Sequence, residues 1–350
     1  LTISFSMNGQ MSDNSSGTSA TGTNAVAMGA STTASGLYST AMGLGTTASN
    51  YVSIAMGDGT TASGSRSTAM GRNTTAGNYS TAMGDSSTAS GDYSTAMGQS
   101  TAASGDYSTA MGRNTTASGS RSTASGYYTT ASGDYSTAMG DGTTASGSRS
   151  TAMGSGTTAS GDYSTAMGGG TTASDFVSVV IGQFNSSGSS ATSANSFSTS
   201  APAFVIGNGA AYNAKSDAFK VMFNGDATVS NDLTVSGDVV ISSDARLKSN
   251  IVSLGSTLPK LLQIDGKSYE MKGKQKIGVL AQEIKEVFPE LVSEDDNEML
   301  AVNYQGLVPV LINALKEQQS EIDELKEQET KYMEQEQRLE RLERLVANMD

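Results

Sequence analysis

Between residues 24 and 185 the chain alternates small polar and small apolar residues, and larger side chains enter only at fixed phases. Gly recurs at every seventh position over much of 29–182, and the longer unit is twice that length, as in STAMGDSSTASGDY and STAMGQSTAASGDY. One phase holds Met28, Met42, Met56, Met70, Met83, Met97, Met111, Ser125, Met139, Met153, Met167 and Ile181. The step from Met70 to Met83 is one position shorter than the others, because a residue is missing around Gly77. A flexible linker has no reason to hold a phase over so many copies, and so much Gly, Ser and Thr excludes helix. The pattern predicts a solenoid in which each repeat unit is one coil of two short strands, with Gly at the bends. Strand alternation places Thr81 and Met83 on one face and Ser80 and Ala82 on the other. At about 4.8 Å per layer, the coils would stack into a rod of roughly 55–60 Å.

Beyond the repeat the pattern changes twice. Residues 187–200 are rich in Ser and Asn and read as a loop. The segments AFVIGNG, DAFKVMFNGDATV and NDLTVSGDVVIS, within 203–242, alternate apolar and polar residues around NG and GD turns, which predicts short antiparallel or interwound strands. From 307 the period becomes helical. Val308, Leu311, Leu315, Ile322, Leu325 and Tyr332 fit coiled-coil spacing, interrupted at Gln318 and Glu329, and Leu339, Leu342, Val346 and Met349 continue after a phase shift.

Composition divides the chain at the same place. Residues 1–242 contain no Glu and two Lys, Lys215 and Lys220, whereas every Glu lies at Glu270 or later. The expected domains are an N-terminal remnant (1–23), the repeat (24–185), a β-rich neck (186–242) and a C-terminal domain (243–350) ending in a coiled coil (307–350). The net charge of −13 argues against nucleic acid as a partner, and no apolar run is long enough for a membrane helix. There is no Cys and no His. Disulfides, thiolate metal sites and a Ser-His-Asp triad are therefore excluded, and any catalysis falls to Ser, Thr, Lys, Tyr or carboxylates. No cofactor or metal is expected. The chain opens at Leu1 with no signal-like segment, so an N-terminal anchoring part is expected to be missing.

A second phase of the repeat reads Tyr38, Val52, Arg66, Tyr79, Tyr93, Tyr107, Arg121, Tyr135, Arg149, Tyr163. Stacked coils would align these as one column. The plain expectation is a ladder held by stacking and cation–π contacts. The sharper one is a stripe for a host receptor or glycan, with Tyr79, Tyr93, Tyr107, Arg121, Tyr135, Arg149 and Tyr163 as its candidate residues. Asp92, Asp106, Asp134 and Asp162 beside the column read as solubilising charges.

The repeat unit resembles the head repeat of YadA-like trimeric adhesins over about 24–185, with Met and Thr in place of the commoner Ile and Val. The resemblance implies a trimeric left-handed parallel β-roll. It does not extend to a complete autotransporter, because those end in a membrane barrel and this chain ends in a charged helix.

Three collinear motifs lie further on. They are SSDARLKSNI (242–251), IGVLAQEIKEVFPELV (277–292) and LAVNYQGLVPVLINALKEQQSEIDELK (300–326). They resemble the intramolecular chaperone auto-processing domain of endosialidase and other phage tail spikes. That resemblance implies an α+β chaperone which trimerises a fibre and then cuts itself off. The nucleophile would be Ser243, assisted by Lys248, with the cut between Ser242 and Ser243. Asp244 also matches the family pattern and would orient Lys248 or fix the turn, and Arg246 would hold a carboxylate. A Ser hydroxyl needs a base, and a Lys in a suitable environment serves. On Ser and Asp alone, a helix N-cap before ARLKSNI is the simpler reading.

The expected function is a homotrimeric fibre shaft of a phage or virus tail, matured by a single-turnover serine self-cleavage, on the virion or an extracellular surface. The alternative is a cell-surface or secreted adhesin using the same chaperone. A polysaccharide hydrolase lacks the clustered carboxylates it needs.

Overall fold

The structure is a computed structural model that describes residues 11–12, 16–294 and 298–348. The N-terminal remnant is thus described only in part, and Met349 lies outside the described residues. The chain divides into two compact units, 1–237 and 238–350.

In the first unit each coil contributes a five-residue strand such as Thr81–Asp85 and a two-residue strand such as Thr88–Ala89. Both kinds stack in parallel onto their counterparts one coil away. Thr81 pairs with Thr95, Met83 with Met97 and Gly84 with Gly98. The short strands build a 12-stranded sheet and the long ones lie in a 16-stranded sheet. The fold class is the expected one, a mainly β solenoid followed by a domain with a long C-terminal helix. The inward face carries Ala82, Ala96 and Ala110, fully buried, with Ser80, Ser94 and Thr101 at 1% exposure. Thr81 and Met83 face outward and are half-buried. The short coil stays in register, Met70 against Met83 and Thr75 against Thr88, so the missing residue is absorbed in the turn at Gly77.

Glycine has a second role besides the bends where it was expected. Gly84, Gly98 and Gly112 sit inside the long strands, with φ of 115°, 133° and 122°. A Cβ on Gly98 would lie 1.9 Å from the carbonyl oxygen of Gly112 in the next coil. Glycine here permits backbone-to-backbone approach within a strand, as well as the bending expected of it. The two turns of each coil hold left-handed residues of several types, glycine among them. One turn uses Gly45, Gly59, Gly142, Gly156 and Gly170, the bend glycines expected, and Asn73, Ser86, Ser100 and Asn114 at the same phase in other coils. The other uses Tyr79, Tyr93, Tyr107, Arg121, Tyr135, Arg149 and Tyr163, at φ between 54° and 60°.

The sheet of the rod continues into the neck. Val179–Gln183 pairs in parallel with Pro202–Asn208, which pairs antiparallel with Asp217–Met222, and that strand with Ala227–Val229. The intervening residues form no strand, as expected of the Ser/Asn-rich loop. The end of the rod is closed by Asp175, a fully buried carboxylate. Its Oδ1 accepts the backbone N–H groups of Thr192 (2.6 Å) and Ser193 (2.7 Å) of that loop. The expected strands at 231–242 do not form. Leu233, Val239, Val240 and Ile241 there are exposed. A strand forms only beside another strand, and among the described residues none pairs with this segment.

The second unit is a small α+β domain. Helix α1 (Leu258–Leu261) precedes a hairpin of Lys267–Met271 with Lys274–Gly278. Helix α2 (Ala281–Val287) follows, and then Val292–Glu294 pairs with Leu300–Val302. Helix α3 (Leu307–Ala347) runs for 41 residues, with Pro309 in its first turn, where a missing N–H costs nothing. Ile284, Phe288 and Val310 form the core, with Leu261, Ile264 and Leu307 packed on it. Of the helix α3 side chains, Val310 and Ala314 are buried, whereas Leu311, Leu315, Ile322, Leu325, Leu339 and Leu342 are exposed.

Candidate active site

The segment SSDARLK folds as a single 3-10 turn, Ala245–Leu247, flanked by Asp244 and Lys248. Asp244 starts it because a short carboxylate can accept its own second neighbour's N–H: Oδ1 accepts from the Arg246 backbone N at 2.8 Å. The Lys248 N–H closes the turn on the Ala245 carbonyl at 3.1 Å. This return of the chain brings residues five apart together. Lys248 Nζ donates to Ser243 Oγ at 2.8 Å, within the reach required of a nucleophile and its base.

Asp244 does not touch Lys248. Its carboxylate is gripped by Arg246, with Nη2–Oδ2 at 2.6 Å and Nε at 3.1 Å from both oxygens. That guanidinium, reinforced by the Arg246 backbone N–H, holds the Asp244 carboxyl below the usual carboxylate range. Of the two roles expected for Asp244, fixing the turn is the one its contacts serve, and Arg246 does hold a carboxylate. The N-cap and the Ser243–Lys248 contact coexist, since capping is what forms the turn that presents Ser243 to Lys248.

The Tyr and Arg column is contiguous along the rod. Tyr79 stacks on Tyr93 (4.6 Å, 13° between planes) and Tyr93 on Tyr107 (4.9 Å, 3°). The Arg121 guanidinium lies between the Tyr107 and Tyr135 rings at 5.2 and 5.1 Å, and Arg149 lies 5.1 Å from both Tyr135 and Tyr163. Arg121 and Arg149 also donate to the hydroxyls of Tyr135 (2.7 Å) and Tyr163 (2.9 Å). The flanking carboxylates do more than solubilise. Asp106, Asp134 and Asp162 accept the backbone N–H of Asp92, Ser120 and Ser148, one coil earlier, at 2.8–3.0 Å. Among the described residues no group of three or more acidic side chains is placed to hold a metal ion.

A contact that sequence reasoning missed joins distant parts of the C-terminal domain. Glu317 on helix α3 accepts from the Ser256 hydroxyl and from the backbone N–H groups of Thr257 and Leu258. The backbone N–H of Thr257 and then the Ser256 hydroxyl hold its carboxyl below the usual range. The local signal was Ser-Thr-Leu-Pro, a helix start, but nothing in the sequence marks its partner.

The architecture is thus a repeat solenoid followed by a small domain with a Ser–Lys pair at its entrance and a long helix at its end. Family comparisons agree on both parts, in that order. The YadA head domain repeat matches 20–46, 48–74, 76–101, 103–129, 131–157, 145–171 and 159–184. The chaperone of endosialidase (Peptidase_S74) matches 243–293. No curated protein matches the chain. The two matches support a trimeric adhesin or tail-fibre type of protein, with a C-terminal domain of a self-cleaving chaperone family. The repeats point to an extracellular or surface location. Among the described residues no helix is long and apolar enough to cross a membrane.

Proposed function

We propose that the chain is the shaft of a homotrimeric attachment fibre, of the tail-fibre kind, assembled by its C-terminal domain and then released by one cut between Ser242 and Ser243. The observation that carries this reading is the 2.8 Å contact between Lys248 Nζ and Ser243 Oγ, at the residue where the chaperone match begins. In its neutral form the Lys248 amine takes the Ser243 hydroxyl proton as Oγ attacks the Ser242 carbonyl carbon. The C–N bond to Ser243 breaks and the nitrogen takes up the proton. Water then hydrolyses the resulting ester, leaving a carboxylate on Ser242 and a free amine and hydroxyl on Ser243. Attack by a water that Lys248 activates gives the same products.

Ser243 and Lys248 are exposed in the single chain, so nothing there strips water from the amine or fixes the Ser242 carbonyl. Partner chains would supply both effects, which ties the cut to assembly. The exposed Leu311, Leu315, Ile322 and Leu325 of helix α3 and the exposed Val239–Ile241 segment are the faces a trimer would bury. The repeat match also favours a second reading, a cell-surface adhesin that uses the same chaperone. For the Tyr and Arg column we propose a structural ladder first. Its exposed edges are the candidate stripe for a host receptor or glycan.

Mass spectrometry of the expressed chain tests the cut. The expected products of wild type are two fragments, 1–242 and 243–350. Ser243→Ala should give one intact chain, and an intact wild type in a trimer would refute the reading.

A further inference from the structure

The arm that carries Ser243 and Lys248 has few ties to its own domain. Residues 249–255 form no helix or strand and are exposed. The first firm hold comes at Ser256–Leu258, and one carboxylate makes most of it. Glu317 Oε2 accepts from Ser256 Oγ at 2.8 Å and from the Leu258 N–H at 3.2 Å, and Oε1 accepts from the Thr257 N–H at 2.6 Å. Thr257 itself is buried and donates its hydroxyl to the Val310 carbonyl at 3.0 Å. Both ends of this clamp on the helix side, Val310 and Glu317, belong to helix α3.

Resting on the proposed self-cleavage, we infer that Glu317 is a positioning residue for it, tying the arm that bears the Ser243–Lys248 turn to the helix on which three chains would meet. Glu317 is suited to this and to little else. Its donors are hydroxyl and backbone N–H groups, and among the described residues no cation pairs with it. It lies outside the expected apolar seam of Leu311, Leu315 and Ile322, so assembly does not need it. Both of its oxygens are engaged by different N–H groups. An amide in its place keeps one acceptor and turns an NH2 group toward the other donor. Packing of the helices would then fix the helix, the helix would fix Ser256–Leu258, and the short arm would present Ser243 to the neighbouring chains. A loose arm is enough to slow such a reaction, because a misplacement on the scale of about 1 Å slows catalysis strongly.

The test uses the full chain with Glu317→Gln, Glu317→Asp and, as a control, Glu321→Gln on the exposed surface of the same helix. Trimer content is followed by light scattering, and the fraction of cut chains within the trimer peak is followed over time. Glu317→Gln is expected to trimerise like wild type and to cut at least about tenfold more slowly, so that intact trimers accumulate. Glu317→Asp, which keeps both oxygens, should cut faster than Glu317→Gln, and Glu321→Gln should match wild type. The inference is overturned if trimeric Glu317→Gln cuts at the wild-type rate, if Glu317→Asp is no faster than Glu317→Gln, or if Glu317→Gln no longer trimerises. The last outcome would make Glu317 a residue of the fold. A wild type that trimerises without cutting would instead overturn the self-cleavage on which the inference rests.

Discussion

The rod and the C-terminal domain solve the problem of a stable structure with different materials. Inside the rod the buried side chains are nearly all Ala, Ser and Thr, and several of those hydroxyls, Thr46, Thr60 and Thr115 among them, have no hydrogen-bond partner. Such a core gives little apolar burial per residue, and order rests on the backbone ladders between coils and on close glycine contacts. The C-terminal domain has a small conventional core of Ile284, Phe288 and Val310. The difference concerns information as much as stability. Most coils pair Thr with Thr, Ala with Ala and Met with Met, so a slip of one whole coil between chains would pair mostly like with like. The C-terminal sequence never repeats, and three copies of it have one alignment. On the proposed function, such a low-information rod benefits from a high-information clamp that is needed only during assembly.

The largest effect is expected at the proposed Ser243–Lys248 pair. Lys248→Met should abolish the cut while the rod still forms, seen as the intact mass of chain 1–350 in a trimer. In the rod the largest effect is expected from one methyl group. Gly98→Ala puts a carbon 1.9 Å from the Gly112 carbonyl at a φ of 133°, and should cost about 3 kcal/mol or more, measured by denaturant unfolding. The same substitution at Gly237, where nothing lies within 4 Å, should be tolerated.

The Tyr ladder gives a smaller effect with an internal control. Tyr93→Ala removes two stacked partners and should cost about 1–3 kcal/mol. Tyr93→Gly loses the same ring but suits the left-handed backbone, and should be less damaging than Tyr93→Ala by about 1 kcal/mol. The smallest effect is electrostatic. The Glu317 carboxyl is held below its ordinary value, so its contribution to stability is present above that value and lost as pH falls through the depressed one. Melting temperature of the C-terminal domain should therefore decline below about pH 4.5, and Glu317→Gln should flatten that decline.

The period of the repeat carried most of the fold. The separation of the two strand faces followed from alternation at Ser80–Met83, and the aligned Tyr and Arg column followed from a single phase. What the period could not show was why glycine recurs. A residue needed at a bend and one needed for contact between coils look alike in sequence, and Gly98 is the second kind. The strand expected at 231–242 failed for a related reason. Alternation marks a segment able to pair, whereas pairing depends on a neighbour that one chain does not supply. At the candidate site, Ser243 and Lys248 were legible through motif resemblance. That Arg246 holds a carboxylate was expected, but the structure alone identifies it as that of Asp244. Glu317 was not legible, because its partners, Ser256 to Leu258, lie far from it along the chain, and a Glu on a charged helix looks like any other.

On the proposed function, cutting follows assembly. Native mass spectrometry during refolding of the wild-type chain tests it most directly, since it weighs each species intact. The account requires that monomers carry only the uncut chain and that fragments 1–242 and 243–350 arise only from trimers. Fragments appearing in the monomer fraction before any trimer has formed would contradict it.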